Sequence, residues 1–156
     1  MLKYIVVDLD GTVADCTHRL HFINGGGTKD WLGFCNACKD DTPIQSMINM
    51  VRALNERHYS FIVVTGRSEL AREQTMEWLS EHNLWNYTEL LMRPEGDYRE
   101  DGVVKLELLN NFVAMSLNGN KGAIEFILDD KDSVVNAYRG AGYRVLQVSG
   151  NDYTVY

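Results

Sequence analysis

Four acidic residues stand in two widely separated pairs: Asp8 and Asp10 within Asp8-Leu9-Asp10-Gly11-Thr12, and Asp129 and Asp130 within Asp129-Asp130-Lys131-Asp132. Gathered in one place, such carboxylates repel and cannot all stay ionised without help, which argues for a bound divalent cation. Oxygen-only ligation points to magnesium rather than zinc. A calcium EF-hand also opens on Asp-x-Asp. Counting from Asp8, however, puts Val13 where the loop glycine belongs and Arg19 where the bidentate glutamate belongs, so that reading fails. Magnesium beside a carboxylate, with the Thr65 hydroxyl, the Lys105 ammonium and nearby backbone N–H groups, is equipment for phosphoryl transfer. A carboxylate can then be the nucleophile.

The elements that must position these groups are legible as alternating patterns. Short β-branched or aromatic runs at Lys3 to Val7, Tyr59 to Val64, Glu89 to Met92, Ala123 to Leu128 and Tyr143 to Val148 read as strands covered on both faces. Between them, Thr42 can cap a helix with Pro43 in its first turn and Ile44, Met47, Ile48, Val51 and Leu54 on one face. Ser68 can cap a second helix reaching Glu81, with Ala71, Thr75, Trp78 and Leu79 inward. A third, from near Asp101, stripes Val104, Leu108, Phe112 and Met115; a fourth, Asp132 to Arg139, ends at Gly140. The expected class is α/β, a Rossmann-like parallel sheet flanked by helices. In such sheets ligands bind beyond the carboxyl ends of the strands, where Asp8, Thr65-Gly66-Arg67 and Asp129-Asp130 all emerge.

The stretch from Gly11 to Asp41 is too long for an ordinary strand-to-helix loop and carries Phe22, Trp31 and Phe34. We read about residues 15–41 as a small cap or lid inserted after the first strand. The 156 residues, 45% hydrophobic and 24% charged, predict one domain, residues 1–156. No internal repeat or low-complexity tract occurs, and no apolar run reaches the length of a signal-peptide core or a membrane span. Three cysteines suit a reducing cytoplasm better than a secreted disulfide framework. With 15 Lys+Arg against 22 Asp+Glu, a net charge of −7, any nucleic-acid contact must be local.

In order and context these residues resemble the haloacid dehalogenase superfamily of phosphatases: Asp8-Leu9-Asp10-Gly11-Thr12-Val13 its first motif, Thr65 its second, Lys105 its third, and Asp129-Asp130 its fourth. The resemblance implies that Asp8 attacks phosphorus to give an aspartyl-phosphate. Asp10 would protonate the leaving oxygen and then activate water. Magnesium would be held by Asp8, the main-chain oxygen of Asp10 and Asp130, with Asp129 in support, while Thr65 and Lys105 bind phosphoryl oxygens. The stretches Val64 to Ser68, Met92 to Lys105 and Leu128 to Arg139 further resemble the 3′-phosphatase domain of bacteriophage polynucleotide kinases. That resemblance adds Arg67, Gly66, Arg19 and Arg93 as substrate-binding candidates. Gly66 and Gly11 serve backbone turns. No GxxxxGK[ST] loop occurs, so only phosphatase chemistry is implied.

Plainer readings stand beside these. Acidic residues can simply end strands, but four motifs in order outweigh that. A response-regulator receiver also clusters aspartates and a lysine around magnesium, yet lacks the second acid that Asp10 provides. Arg99 and Asp97 fit a site or the surface equally. Cys35-x-x-Cys38 with Cys16, His18 and His21 fits no zinc-finger spacing and reads as buried thiols. Trp31 and Phe34 could stack on a base or build the lid's own core. The expected activity is a magnesium-dependent phosphomonoesterase acting on a 3′-phosphorylated nucleic-acid end, with a nucleoside monophosphatase as the alternative and a non-hydrolytic phospho-acceptor as a third. No membrane and no protein partner are inferred.

Overall fold

The computed structural model describes residues 2–148. Among these residues, seven strands and six α-helices occur in the order β1 Lys3–Val7, β2 Ala14–Asp15, α1 His21–Asn24, α2 Trp31–Asn36, β3 Thr42–Pro43, α3 Gln45–Glu56, β4 Tyr59–Ser68, α4 Arg72–Glu81, β5 Glu89–Arg93, α5 Asp101–Ser116, β6 Ile124–Asp129, α6 Asp132–Gly140 and β7 Val145–Gln147. Five strands form a parallel sheet in the order β5-β4-β1-β6-β7. The chain moves outward from β1 through β4 to β5, then returns to β6 on the other side of β1. The exits of β1 and β6 therefore flank the point where strand order reverses.

Side-chain alternation explains the two layers of helices. Ile5, Val7, Phe61 and Val63 face one way and pack with Ile48 and Val51 of α3 and Trp78 and Leu79 of α4. Tyr4, Val6, Ile62 and Val64 face the other way, against Leu109, Phe112 and Val113 of α5 and Val134, Val135 and Tyr138 of α6. Each such side chain, fully buried, stabilises the fold by about 1.5–3 kcal/mol. With both faces covered, the strands can be apolar nearly throughout.

Several local expectations are corrected. Thr42 does not cap α3; Thr42 and Pro43 pair antiparallel with Asp15 and Ala14, and the helix starts at Gln45. Backbone pairing thus outcompetes capping there. Strand β4 runs on through Ser68, whose side chain accepts from the Leu70 N–H and caps a short 3-10 turn ahead of α4. In α5 the buried stripe is Val104, Lys105, Leu109, Phe112 and Val113, while Met115 is exposed. Helix α6 includes Gly140, and the left-handed turn that ends it falls on Gly142, at φ +86°. The segment 15–41 is a chain of short helical turns, α1 and α2 among them, closed at its base by the β2–β3 pairing.

Candidate active site

The loop after β1 carries the first acids. The Asp8 N–H still donates to Leu128 O at 3.0 Å, and then Thr12, Val13 and Ala14 N–H groups all converge on Leu9 O, tightening the chain into a turn. Gly11 makes this possible: its φ is +84°, and a Cβ there would run into the Asp130 carboxylate. The turn and the end of β6 therefore close on each other only because one residue lacks a side chain.

Asp8, Asp129 and Asp130 each bring a carboxylate oxygen to within 4.8 Å of the others. Lys105, reaching in from the first turns of α5, places Nζ 2.8 Å from Asp8 Oδ1 and 2.8 Å from Asp129 Oδ2. Thr12 Oγ1 lies 3.5 Å from Asp8 Oδ2 and 3.4 Å from Asp130 Oδ1. Burial raises the Asp8 carboxyl well above its ordinary value; Lys105 pulls against it, and Asp129 and Asp130 push with it. Burial and the Asp129 charge push Asp130 up to about 6. Burial would strip the Lys105 proton, but Asp129 and Asp8 hold it firmly. Three carboxylates against one ammonium leave excess negative charge in a pocket of hard oxygen donors, a set that suits magnesium. The Asp10 carboxylate is not in this cluster.

Asp10 instead turns toward two arginines. Its Oδ1 accepts from Arg19 Nη2 at 2.7 Å and from Arg67 Nε and Nη2 at 3.0 and 2.6 Å. Burial alone would raise this carboxyl, but the Arg19 and Arg67 guanidiniums outweigh it and hold Asp10 below the ordinary carboxylate range. Both arginines also bind Asp41, the residue that sequence reasoning missed. Arg19 Nε donates to Asp41 Oδ1 at 2.7 Å and Arg19 Nη2 to Oδ2 at 2.7 Å; Arg67 Nη2 reaches Oδ2 at 2.6 Å, and His18 Nε2 lies 2.8 Å from Oδ1. The Asp41 side chain is fully buried. A lone aspartate in a loop carries no motif; the signal that could have found it was the pair Arg19 and Arg67, too much positive charge for Asp10 to balance.

Thr65 is buried in the carboxyl-terminal half of β4, two residues past Val63, which pairs with Val7, and its Oγ1 accepts from the Arg67 N–H at 3.2 Å. Gly66 lies against Asp101, where a Cβ would stand 2.8 Å from its carboxylate. Arg93 is spent on the scaffold: Nε donates to Gly66 O, Nη1 to Asp97 O and Arg99 O, and Nη2 to the Asp101 carboxylate. It braces the loop 94–100 and the start of α5. Arg99 and Asp97 pair with each other on the surface, with Glu107 closing the set. Cys16, Cys35 and Cys38 are buried and form no disulfide, and none belongs to a cluster of three or more potential metal-binding side chains among the described residues.

Comparison with known proteins places this geometry in context. A family profile described as the polynucleotide kinase PNKP phosphatase domain matches residues 2–153. A protein of Autographa californica nuclear polyhedrosis virus, named as a bifunctional polynucleotide kinase/RNA ligase, is 29% identical over 138 residues, 88% of this chain and 18% of the relative. A chain from the Pnkp1/Rnl/Hen1 RNA repair complex superimposes with a TM-score of 0.73 at 28% identity, covering 98% of this chain and 44% of that one. This chain thus spans less than half of either relative. The haloacid dehalogenase-like hydrolase SP0104 of Streptococcus pneumoniae shares the fold, with a TM-score of 0.68 at 11% identity over 96% of this chain and 86% of its own. Among the described residues no helix is long and apolar enough to cross a membrane.

Proposed function

The chain belongs to the family of the polynucleotide kinase PNKP phosphatase domain, a phosphatase of haloacid dehalogenase fold, and from that membership we propose that it removes the 3′-phosphate from nucleic-acid ends with magnesium and an aspartyl-phosphate intermediate. The observation that carries the mechanism is the division of two aspartates between two settings. Asp8 lies among Asp129, Asp130 and Lys105, and Asp10 lies two residues on in the grip of Arg19 and Arg67. Asp8, Asp130 and the Asp10 main-chain oxygen, with Asp129 in support, would hold magnesium, which would supply the charge neutralisation that an anionic carboxylate needs to approach an anionic phosphate. Asp8 Oδ attacks phosphorus, its new O–P bond forming as the bond to the departing 3′-oxygen breaks.

Asp10 gives that oxygen its proton and recovers one from the water that hydrolyses the acyl phosphate. Its resting contacts favour the ionised form. The phosphate supplies the remedy: it offers Arg19 and Arg67 a competing anion, and as their hold on Asp10 weakens the carboxyl rises toward protonation. Lys105 and Thr65 take the remaining phosphoryl oxygens, and residues 15–41 act as the lid above them. Three buried cysteines outside any disulfide suit a reducing cytoplasm as the place of action.

The test is a trapping experiment. Rapid acid quench of the enzyme turning over substrate should leave a phosphoryl group on the peptide containing Asp8, found by mass spectrometry, and Asp8→Asn should neither carry it nor turn over. Phosphate release without any covalent species, or sustained turnover by Asp8→Asn, would overturn the mechanism.

A further inference from the structure

The phosphate chemistry leaves one feature of segment 15–41 without employment. Trp31 opens α2 with 48% of its surface exposed, whereas Trp78 is fully buried in the core. A single exposed aromatic is ordinary in itself, but the surroundings of this one are specific. Trp31 and Phe34, three residues apart, share one face of α2, with ring centroids 6.1 Å apart in an edge-to-face arrangement. The Phe34 ring lies over the Arg19 guanidinium, 4.2 Å from its carbon, and Arg19 Nη2 donates to Asp10. That face of α2 is therefore the one turned to the reacting groups. Lys29 Nζ lies over the Trp31 ring, 5.4 Å from its centroid, so a cation already sits on one face of this exposed aromatic.

Trp31 is not what holds this helix in place. Asp30 caps it, accepting from the Gly33 N–H at 2.8 Å, and Phe22 packs against Gly33 so closely that a Cβ there would be 2.8 Å from its ring. The short helix is anchored from behind while its first residue faces outward.

We propose that Trp31 is a stacking platform for the terminal base of the nucleic-acid substrate, the Lys29 ammonium over the ring swinging away to the adjoining phosphate as the base takes its place. This inference rests on the 3′-end reading above and deepens it. A net charge of −7 works against holding a polyanion by long-range attraction, and an aromatic face supplies affinity that charge does not. Stacking is tolerant of sequence, as end processing requires.

The experiment compares two 3′-phosphorylated oligonucleotides in magnesium buffer, identical except that one carries an abasic terminal sugar. Trp31→Ala should raise KM for the base-bearing end roughly 10-fold or more with kcat little changed, leave the abasic end unaffected, and be largely rescued by Trp31→Phe. Trp85→Ala is the control. Trp85 is 67% exposed but precedes β5, at the opposite end of the sheet from the strand exits, and its loss should change neither substrate. Equal kinetics on the two ends by wild type, or a Trp31→Ala defect of the same size on both, overturns the stacking inference alone. Failure of the unaltered chain to hydrolyse either oligonucleotide overturns the substrate reading and the inference with it.

Discussion

Asp41→Asn isolates the buried charge cluster that no motif announced. The four side chains Asp10, Asp41, Arg19 and Arg67 balance in charge, and the Asp41, Arg19 and Arg67 side chains are exposed by 0%, 1% and 2%. An amide keeps one acceptor oxygen, so contacts of the Oδ1 kind survive. The two at Oδ2, from Arg19 Nη2 and Arg67 Nη2, become donor against donor. At about 1.5–3 kcal/mol for each hydrogen bond to a charged group, the loss agrees with the roughly 3–5 kcal/mol expected for breaking a buried ion pair from one side. Urea unfolding at neutral pH should therefore show Asp41→Asn destabilised by about 3–5 kcal/mol, a fall of roughly 10 °C in Tm for a domain of this size. Arg67→Met should cost a comparable amount, and the double variant should cost less than the sum by about 1 kcal/mol or more, because it removes one charge of each sign. An Asp41→Asn variant within about 0.5 kcal/mol of the parent, or strictly additive costs, would refute the reasoning.

Gly11→Ala should cost about 1–3 kcal/mol through its left-handed backbone and cut turnover by well over tenfold, since the new methyl displaces Asp130; wild-type kinetics would contradict the role given to that close approach. Asp101 is pulled up by burial but held below 3.8 by Lys105, Lys131 and Arg93, so its contribution to stability is present above 3.8 and fades as pH falls through its depressed value. The stability gap between the parent and Asp101→Asn, measured by urea unfolding across pH, should thus be widest near neutrality and narrow in acid, and a gap that widens in acid would contradict the ion-pair account. Chelation by EDTA should silence phosphate release and magnesium should restore it; activity indifferent to chelator would remove the reason for clustering Asp8, Asp129 and Asp130.

How much of this could be read from sequence follows from the range of each interaction. Strand β1 was legible because an apolar run facing two helix layers has nowhere else to go, and the strand ends where Asp8 begins. Lys105 was legible through its motif, although its burial bends the helix stripe that simple periodicity places on Leu108 and Met115. Thr42 misled because its preference for capping is a local property, whereas the β2–β3 pairing that claims it joins residues far apart in the chain. Asp41 was invisible for the same reason: its partners are 22 and 26 residues away, and an ion pair at that range has no spacing to recognise. Arg93 shows the converse, since a strand exit placed it correctly but the carbonyls of Gly66, Asp97 and Arg99 decide its work.

The proposed activity is removal of a 3′-end phosphate through Asp8. It is tested most directly by initial rates of phosphate release, under one set of conditions, from an oligonucleotide phosphorylated at its 3′ end, the same oligonucleotide phosphorylated at its 5′ end, and the corresponding 3′- and 5′-mononucleotides. The account predicts the highest kcat/KM on the 3′-phosphorylated oligonucleotide and no release by Asp8→Asn. A preference for 5′-mononucleotides would contradict the substrate, and release that survives Asp8→Asn would contradict the site.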